Sequence, residues 1–201
     1  MAAYWNHNSA YHPWITNIAA AHRNEDLLDV GCGDGLLLQR LAPIMHTAIG
    51  IEVDETAATR ARGRLSELVN VSVVSEDFMC YRSERQFGLI TFVASVHHLP
   101  LSAALTRAAD MLAPGGDLAV VGVAANRSVA DWAHAGVRVP VARVSSWLHH
   151  ESYPEGVPVA DPMESLAQIR AVARKLLPGA RIRRGLYYRY LLRWTKPSRG
   201  A

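Results

Sequence analysis

Short apolar runs and helix-periodic stretches follow one another in a fixed order along the first 123 residues. Leu27-Leu28-Asp29-Val30, Thr47–Glu52, Val71-Ser72-Val73-Val74, Phe87–Val93 and Leu118–Val121 each read as a buried strand, closed by glycine or polar residues. Between them Leu36–Leu41, Ala57–Leu68 and the stretch before Pro114 read as helices, and Asp54 stands where it can cap the second. The third stops at Pro114-Gly115-Gly116, because proline cannot continue a helix and the glycines free the turn geometry. Strands alternating with helices predict an α/β fold: a parallel sheet with helices on both faces. Near the end, Arg181–Leu186 and Tyr187–Lys196 read as a closing hairpin with Tyr188, Tyr190, Leu192 and Trp194 on an inward face.

The connection after the first strand carries the most specific signal. Glycines fall at 31, 33 and 35, directly before a leucine-rich helix. Glycine permits backbone angles and a close ligand approach that a Cβ would forbid, and the free N–H groups of the helix start point over the turn. A dinucleotide fingerprint would space its glycines G-x-G-x-x-G. Here the third glycine comes one residue early, and Asp29 precedes the first by two. Glu52 closes the second strand 21 residues after Gly31, the distance at which Rossmann-type folds present a carboxylate to ribose hydroxyls.

This D-x-G-x-G-x-G turn resembles the first motif of the class I S-adenosylmethionine-dependent methyltransferases, and the resemblance continues through residues 27–121. It implies a Rossmann-like, doubly wound, seven-stranded sheet, mostly parallel with the last strand antiparallel. It also implies S-adenosyl-L-methionine as cofactor, S-adenosyl-L-homocysteine as product, and transfer of a methyl group by in-line displacement. By the same resemblance Asp29, Gly31, Cys32, Gly33 and Gly35 wrap the methionine and ribose part. Glu52 binds the ribose, Val53 packs beside the adenine, Asp77 bonds its amino group, and Phe78 packs on the ring. Val93 and Ala94 close the site from the fourth strand, before the His97-His98-Leu99 that often follows in the family. One departure is visible: Gly88 follows Phe87 where the family usually carries Asp.

Length and composition fit a single domain. The chain has 201 residues, half of them apolar, which suffices for one sizeable core. It divides into an N-terminal lid or helix (1–24), the cofactor core (25–123), a substrate-side insertion (124–162), and a closing helix with hairpin (163–201). Two cysteines without metal-ligand spacing and no signal-like start predict a reduced, cytoplasmic setting, with no metal and no membrane span. Residues 165–201 hold ten basic side chains and no acid. Such an end suits either a solvated face or an acidic partner.

Acceptor recognition falls to two regions. Tyr4 to Trp14 is dense in aromatic and imidazole groups, and Trp5 and Tyr11 are candidates to cover the cofactor, since aromatic faces meet a sulfonium favourably. Residues 124–162 form an unusually long connection with three histidines and two tryptophans. His97, His98 and His12 are the candidate general bases, wanted only if the acceptor must lose a proton. The expectation is methyl transfer to a small molecule, with nucleic acid not expected as a partner and the oligomeric state open. The alternatives are an RNA or protein methyltransferase, a module that binds the cofactor without catalysis, and a dehydrogenase.

Overall fold

The computed structural model describes residues 6–125, 162–186 and 189–198. Trp5, Tyr188 and nearly all of the 124–162 insertion therefore lie outside the described residues. Seven strands form one sheet: β1 (Asp26–Val30), β2 (Thr47–Glu52), β3 (Val71–Ser75), β4 (Phe87–Val93), β5 (Leu112–Val123), β6 (Arg181–Arg184) and β7 (Arg189–Thr195). Their spatial order is β3-β2-β1-β4-β5-β7-β6. The pairs from β3 to β5 are parallel, while β7 runs antiparallel to both β5 and β6. The last strand is thus antiparallel, as the family resemblance implies.

The helices are α1 (His12–Ala19), α2 (Leu36–Leu41), α3 (Glu55–Leu65), α4 (Leu101–Met111) and α5 (Leu166–Leu176). Alternating strand residues sort them onto two faces, because successive side chains of a strand point opposite ways. Leu27, Leu89, Ala119, Val121 and Leu191 pack against α1, α2 and α3. Leu28, Ile90, Phe92, Leu118 and Val120 pack against α4 and α5. Central strands covered on both sides read as continuous apolar runs, which is why β4 is buried at six successive positions. Two boundaries differ from the sequence reading. α3 begins and ends earlier than Ala57–Leu68, because Asp54 caps it by accepting the Ala57 N–H at 2.7 Å. Pro114-Gly115-Gly116 lies inside β5 rather than before it. It forms an irregularity at which the register to β4 shifts, Phe87 facing Leu112 while Leu89 faces Asp117.

Opposite the strand carboxyl ends, a charged network ties the N-terminal segment to the sheet. His22 Nε2 lies 2.9 Å from Asp117 Oδ2 and its Nδ1 lies 3.0 Å from Glu25 Oε2. Arg193 and Thr195 of β7 also donate to Asp117, at 2.7 and 2.5 Å. Asp117 is 1% exposed, and although burial opposes ionisation, bonds from His22, Arg193 and Thr195 hold its pKa at about 2. The Asp117 hydrogen bond raises the pKa of His22 above 6.5, against burial, with Glu25 adding to the effect.

A raised histidine pKa contributes stability that is complete below the unfolded value and lost as pH rises through the folded one. His12 and His97, both held neutral, act in the opposite sense, so the informative quantity is a difference. The melting temperature of the wild type minus that of His22→Ala should be about 5 °C near pH 5, for a charge-assisted bond worth ~2 kcal/mol, and should shrink above neutrality. A difference that stays constant from pH 5 to 8.5 would show that His22 is not charged in the fold.

Among the described residues no helix is long and apolar enough to cross a membrane.

Candidate functional site

In an open α/β sheet the ligand crevice lies at the strand carboxyl ends, where the strand order reverses. Here the chain leaves β1 toward β2 and β3 on one side and resumes at β4 on the other, so that point lies between β1 and β4. The glycine turn closes β1 there. The N–H groups of Gly31 and Cys32 both donate to Ile51 O, at 2.8 and 3.1 Å, which hooks the turn over β2. Gly31, Gly33 and Gly35 all have positive φ, at +71°, +57° and +78°. A Cβ on Gly31 would fall 2.4 Å from Ser95 Cβ, so the two halves of the sheet meet with no room between them. Around Gly33, by contrast, a Cβ would find nothing within 4 Å. The turn therefore offers one open face, on the side of its middle glycine.

Glu52 ends β2 beside that face. Its Oε2 accepts the Gly33 N–H at 2.9 Å and its Oε1 accepts the Asp54 N–H at 3.0 Å. The carboxylate is thus held in place by backbone donors on both oxygens. Val53, next along, is 74% exposed, an uncommon position for a large apolar side chain unless something covers it. Asp29 sits beneath the turn, 2% exposed, accepting from Thr91 Oγ1 at 2.6 Å. Burial pushes its pKa up to about 7; the Thr91 bond opposes the rise and the nearby Glu52 charge adds to it. Burial likewise raises the Cys32 thiol, which faces Gly50 and Leu38 rather than solvent.

Asp77 and Phe78 follow β3. Asp77 is exposed and accepts the Met79 N–H at 2.8 Å, closing a short turn. Phe78 turns inward instead: its ring is 2% exposed and edge-on to Phe92 at 5.5 Å. Its face is occupied by the core and by the Arg107 guanidinium, 5.5 Å from its centroid, so the open apolar surface at this rim is Val53. From β4, Val93 is half-buried and Ala94 adopts φ +54°, a left-handed conformation rarely taken by a non-glycine residue. The Ala94 N–H is held by Val121 O at 2.7 Å, and Ser95 Oγ donates to Val30 O at 2.5 Å. These bonds compensate the strain and fix the end of β4 against the turn.

The histidines separate clearly. His12 is buried, and Arg40 donates to its Nδ1 at 3.0 Å; burial and the Arg40 charge lower its pKa to about 3. That bond ties α1 to α2 through the Nδ1 of the ring. His97 and His98 lie just past β4 with ring centroids 4.1 Å apart. His97 Nδ1 is buried with no hydrogen-bond partner among the described residues, and burial, His98 and Arg189 bring the pKa of the ring to about 4. Tyr11 donates to Leu186 O at 2.8 Å, and Arg189 donates through Nε and Nη2 to Asn8 Oδ1 at 3.2 and 2.7 Å. The described part of the N-terminal segment is thereby fastened to the β6–β7 hairpin.

Two residues of this region had not been singled out from the sequence. Arg64 of α3 reaches back to Asp34 inside the glycine turn, donating to its carbonyl at 2.9 Å and its carboxylate at 2.7 Å. Arg107 of α4 donates to Phe78 O at 2.8 Å and to Tyr81 O, holding the Asp77 turn from below. Of the basic C-terminal residues, Arg193 and Lys196 are engaged within the fold and Arg189 with the N-terminal segment. Arg181 and Arg183 face solvent on the edge strand β6.

A profile of the methyltransferase domain matches residues 27–116. An uncharacterized methyltransferase of Mycobacterium tuberculosis is 30% identical over 200 residues, spanning 96% of this chain and 98% of its own. The ubiquinone biosynthesis O-methyltransferase of Thiobacillus denitrificans is 29% identical over 127 residues, 56% of this chain and 54% of its own. Among solved structures, the N-methyltransferase NodS from Bradyrhizobium japonicum in complex with S-adenosyl-L-homocysteine shares the fold. Its TM-score is 0.64 at 20% identity, over 94% of this chain and 87% of that one.

Proposed function

The chain belongs to the class I S-adenosylmethionine-dependent methyltransferases, and from that premise we propose that it methylates a small-molecule acceptor, with His97 on the acceptor side. The observation that carries the cofactor half of this reading is the Glu52 carboxylate, held by two backbone N–H groups beside the open face of Gly33. A carboxylate can accept from both hydroxyls of one ribose. Val53 offers the exposed apolar contact for the adenine, and the outward Asp77 carboxylate offers an acceptor for its amino group. Asp29, Gly31, Cys32, Gly35, Val93 and Ala94 shape the walls, and Tyr11 holds the covering segment in place.

When bound, S-adenosylmethionine supplies a sulfonium-activated methyl group, already a good electrophile. The protein's own contribution is then alignment, which can supply ~7–11 kcal/mol in favourable cases. The Nδ1 of His97, buried without a partner among the described residues, can accept a hydrogen bond from an acceptor O–H or N–H, and its lowered pKa suits it to orienting that group rather than to taking the proton. The small acceptor is supported by the ubiquinone biosynthesis relative, whose name describes chemistry on a small molecule. It is supported too by the internal engagement of Arg193 and Lys196, which leaves fewer cations for a nucleic-acid backbone. The two free thiols, Cys32 buried and Cys80 exposed, fit a reduced cytoplasmic setting.

Incubation with radiolabelled S-adenosylmethionine and a panel of phenols, amines and carboxylic acids, with total RNA and a protein lysate in parallel, tests the proposal. Label should enter a small molecule, and His97→Gln should lower kcat about 10-fold through loss of one orienting hydrogen bond. Label in RNA that disappears with salt would instead establish the nucleic-acid reading. Cofactor binding without transfer to any class would establish a binding module.

A further inference from the structure

α3 is fastened to the glycine turn at both of its ends. At its start, Glu52 takes the Gly33 N–H on one oxygen and the Asp54 N–H on the other, while Asp54 caps the helix at Ala57. At its end, Arg64 spans both the carbonyl and the carboxylate of Asp34, and adds a 3.3 Å contact to Gln39 of α2. The two side chains are 2% and 8% exposed, so this is a buried ion pair. Gly35 completes the joint, since a Cβ there would lie 2.8 Å from Leu65 and 3.2 Å from Ala61.

A buried ion pair is weak evidence for stability, because desolvating both charges can cost more than their attraction returns. Geometry gives a better reason for its place here. Asp34 lies between two glycines with positive φ, in a backbone that many other shapes would suit. The planar arginine fork fixes the carbonyl and the side chain of that one residue together, which a lysine cannot do.

We propose that Arg64 is a positioning residue for the cofactor: it holds the turn in the shape that keeps the Gly33 N–H on Glu52, and so aims the ribose-binding carboxylate. Arg64 acts through Asp34, Gly33 and Glu52, with no contact to the ligand. The proposal rests on the reading of Glu52 as the ribose ligand, and the experiment separates the two.

Calorimetric titration with S-adenosylhomocysteine would compare the wild type, Arg64→Met, Glu52→Gln, Asp77→Ala and the two double variants that contain Arg64→Met. Melting temperatures would be measured alongside. Arg64→Met should weaken binding about 10-fold in the wild type and in Asp77→Ala, but by less than about 3-fold in Glu52→Gln, the signature of sites that act as a unit. Arg64→Lys should recover little. An equal penalty in all three backgrounds, or no penalty, overturns the proposal and leaves Arg64 a structural residue. If Arg64→Met does not fold, Asp34→Asn keeps the carbonyl bond, and the same pattern decides. If the wild type binds no S-adenosylhomocysteine, the reading of Glu52 fails and the proposal falls with it.

Discussion

Glu52→Ala should weaken S-adenosylhomocysteine binding by on the order of 100-fold or more, at about 1.5–3 kcal/mol for each of two charge-assisted hydrogen bonds to the ribose. The substitution acts twice. On the proposed reading it removes the acceptor for the ribose hydroxyls, and it strips the Gly33 and Asp54 N–H groups of the oxygens that hold them at 2.9 and 3.0 Å. The turn then loses the shape the ligand needs. Glu52 is only half-buried and at a strand end, so the fold itself should survive with a near-unchanged circular dichroism spectrum. Calorimetry with competition for weak binders measures the loss. A change below threefold would remove Glu52 from the site.

Gly31→Ala should lower the melting temperature by roughly 10 °C and abolish cofactor binding with it, combining about 1–2 kcal/mol of left-handed strain with about 1–3 kcal/mol of overpacking. The added methyl would meet Ser95 Cβ at 2.4 Å and Oγ at 3.1 Å. Ser95 cannot simply turn away, because its hydroxyl is bonded to Val30 O and its backbone is tied to the end of β4. Gly33→Ala provides the contrast. It carries a similar φ penalty but fills only open space, so it should cost about 1 kcal/mol of stability while still obstructing the ligand face. Equal melting temperatures for the two variants would contradict the close approach of β1 and β4.

How much of this was legible beforehand depends on distance along the chain. The alternation of strands and helices, the glycine turn and the Glu52 spacing are local patterns, and they point to a parallel α/β sheet and to the residues at its carboxyl edge, while the antiparallel last strand is legible only through the family resemblance. The Asp54 cap is also local. Pro114-Gly115-Gly116 misled slightly: the chain does turn aside there, but inside a strand, as an irregularity that only pairing with β4 reveals. The resemblance implies that Phe78 packs on the adenine, but its position in the motif says nothing about which way its ring points. The answer depends on Phe92 and Arg107, residues from two other elements.

Partners far apart in sequence were invisible. His22 and Asp117 are 95 residues apart, and Arg64 and Asp34 are 30 apart. For Arg64 a signal did exist. Ala57, Ala61 and Leu65 form the buried stripe of α3, and Arg64 falls on it, three residues after Ala61. A charged residue on an apolar stripe is buried with a partner or it is not on that stripe, and here it has Asp34. The Arg40 partner of His12, 28 residues away, is likewise visible only in the fold.

The central claim is that the turn from Gly31 to Gly35 with Glu52 is an S-adenosylmethionine site, and the most direct test is calorimetric titration of the wild-type chain with S-adenosylhomocysteine, repeated with NAD and NADP. The account predicts one site per chain with a dissociation constant in the micromolar range for the first ligand and no heat of binding for the other two. Saturable binding of a nicotinamide dinucleotide, with none of S-adenosylhomocysteine, would contradict it.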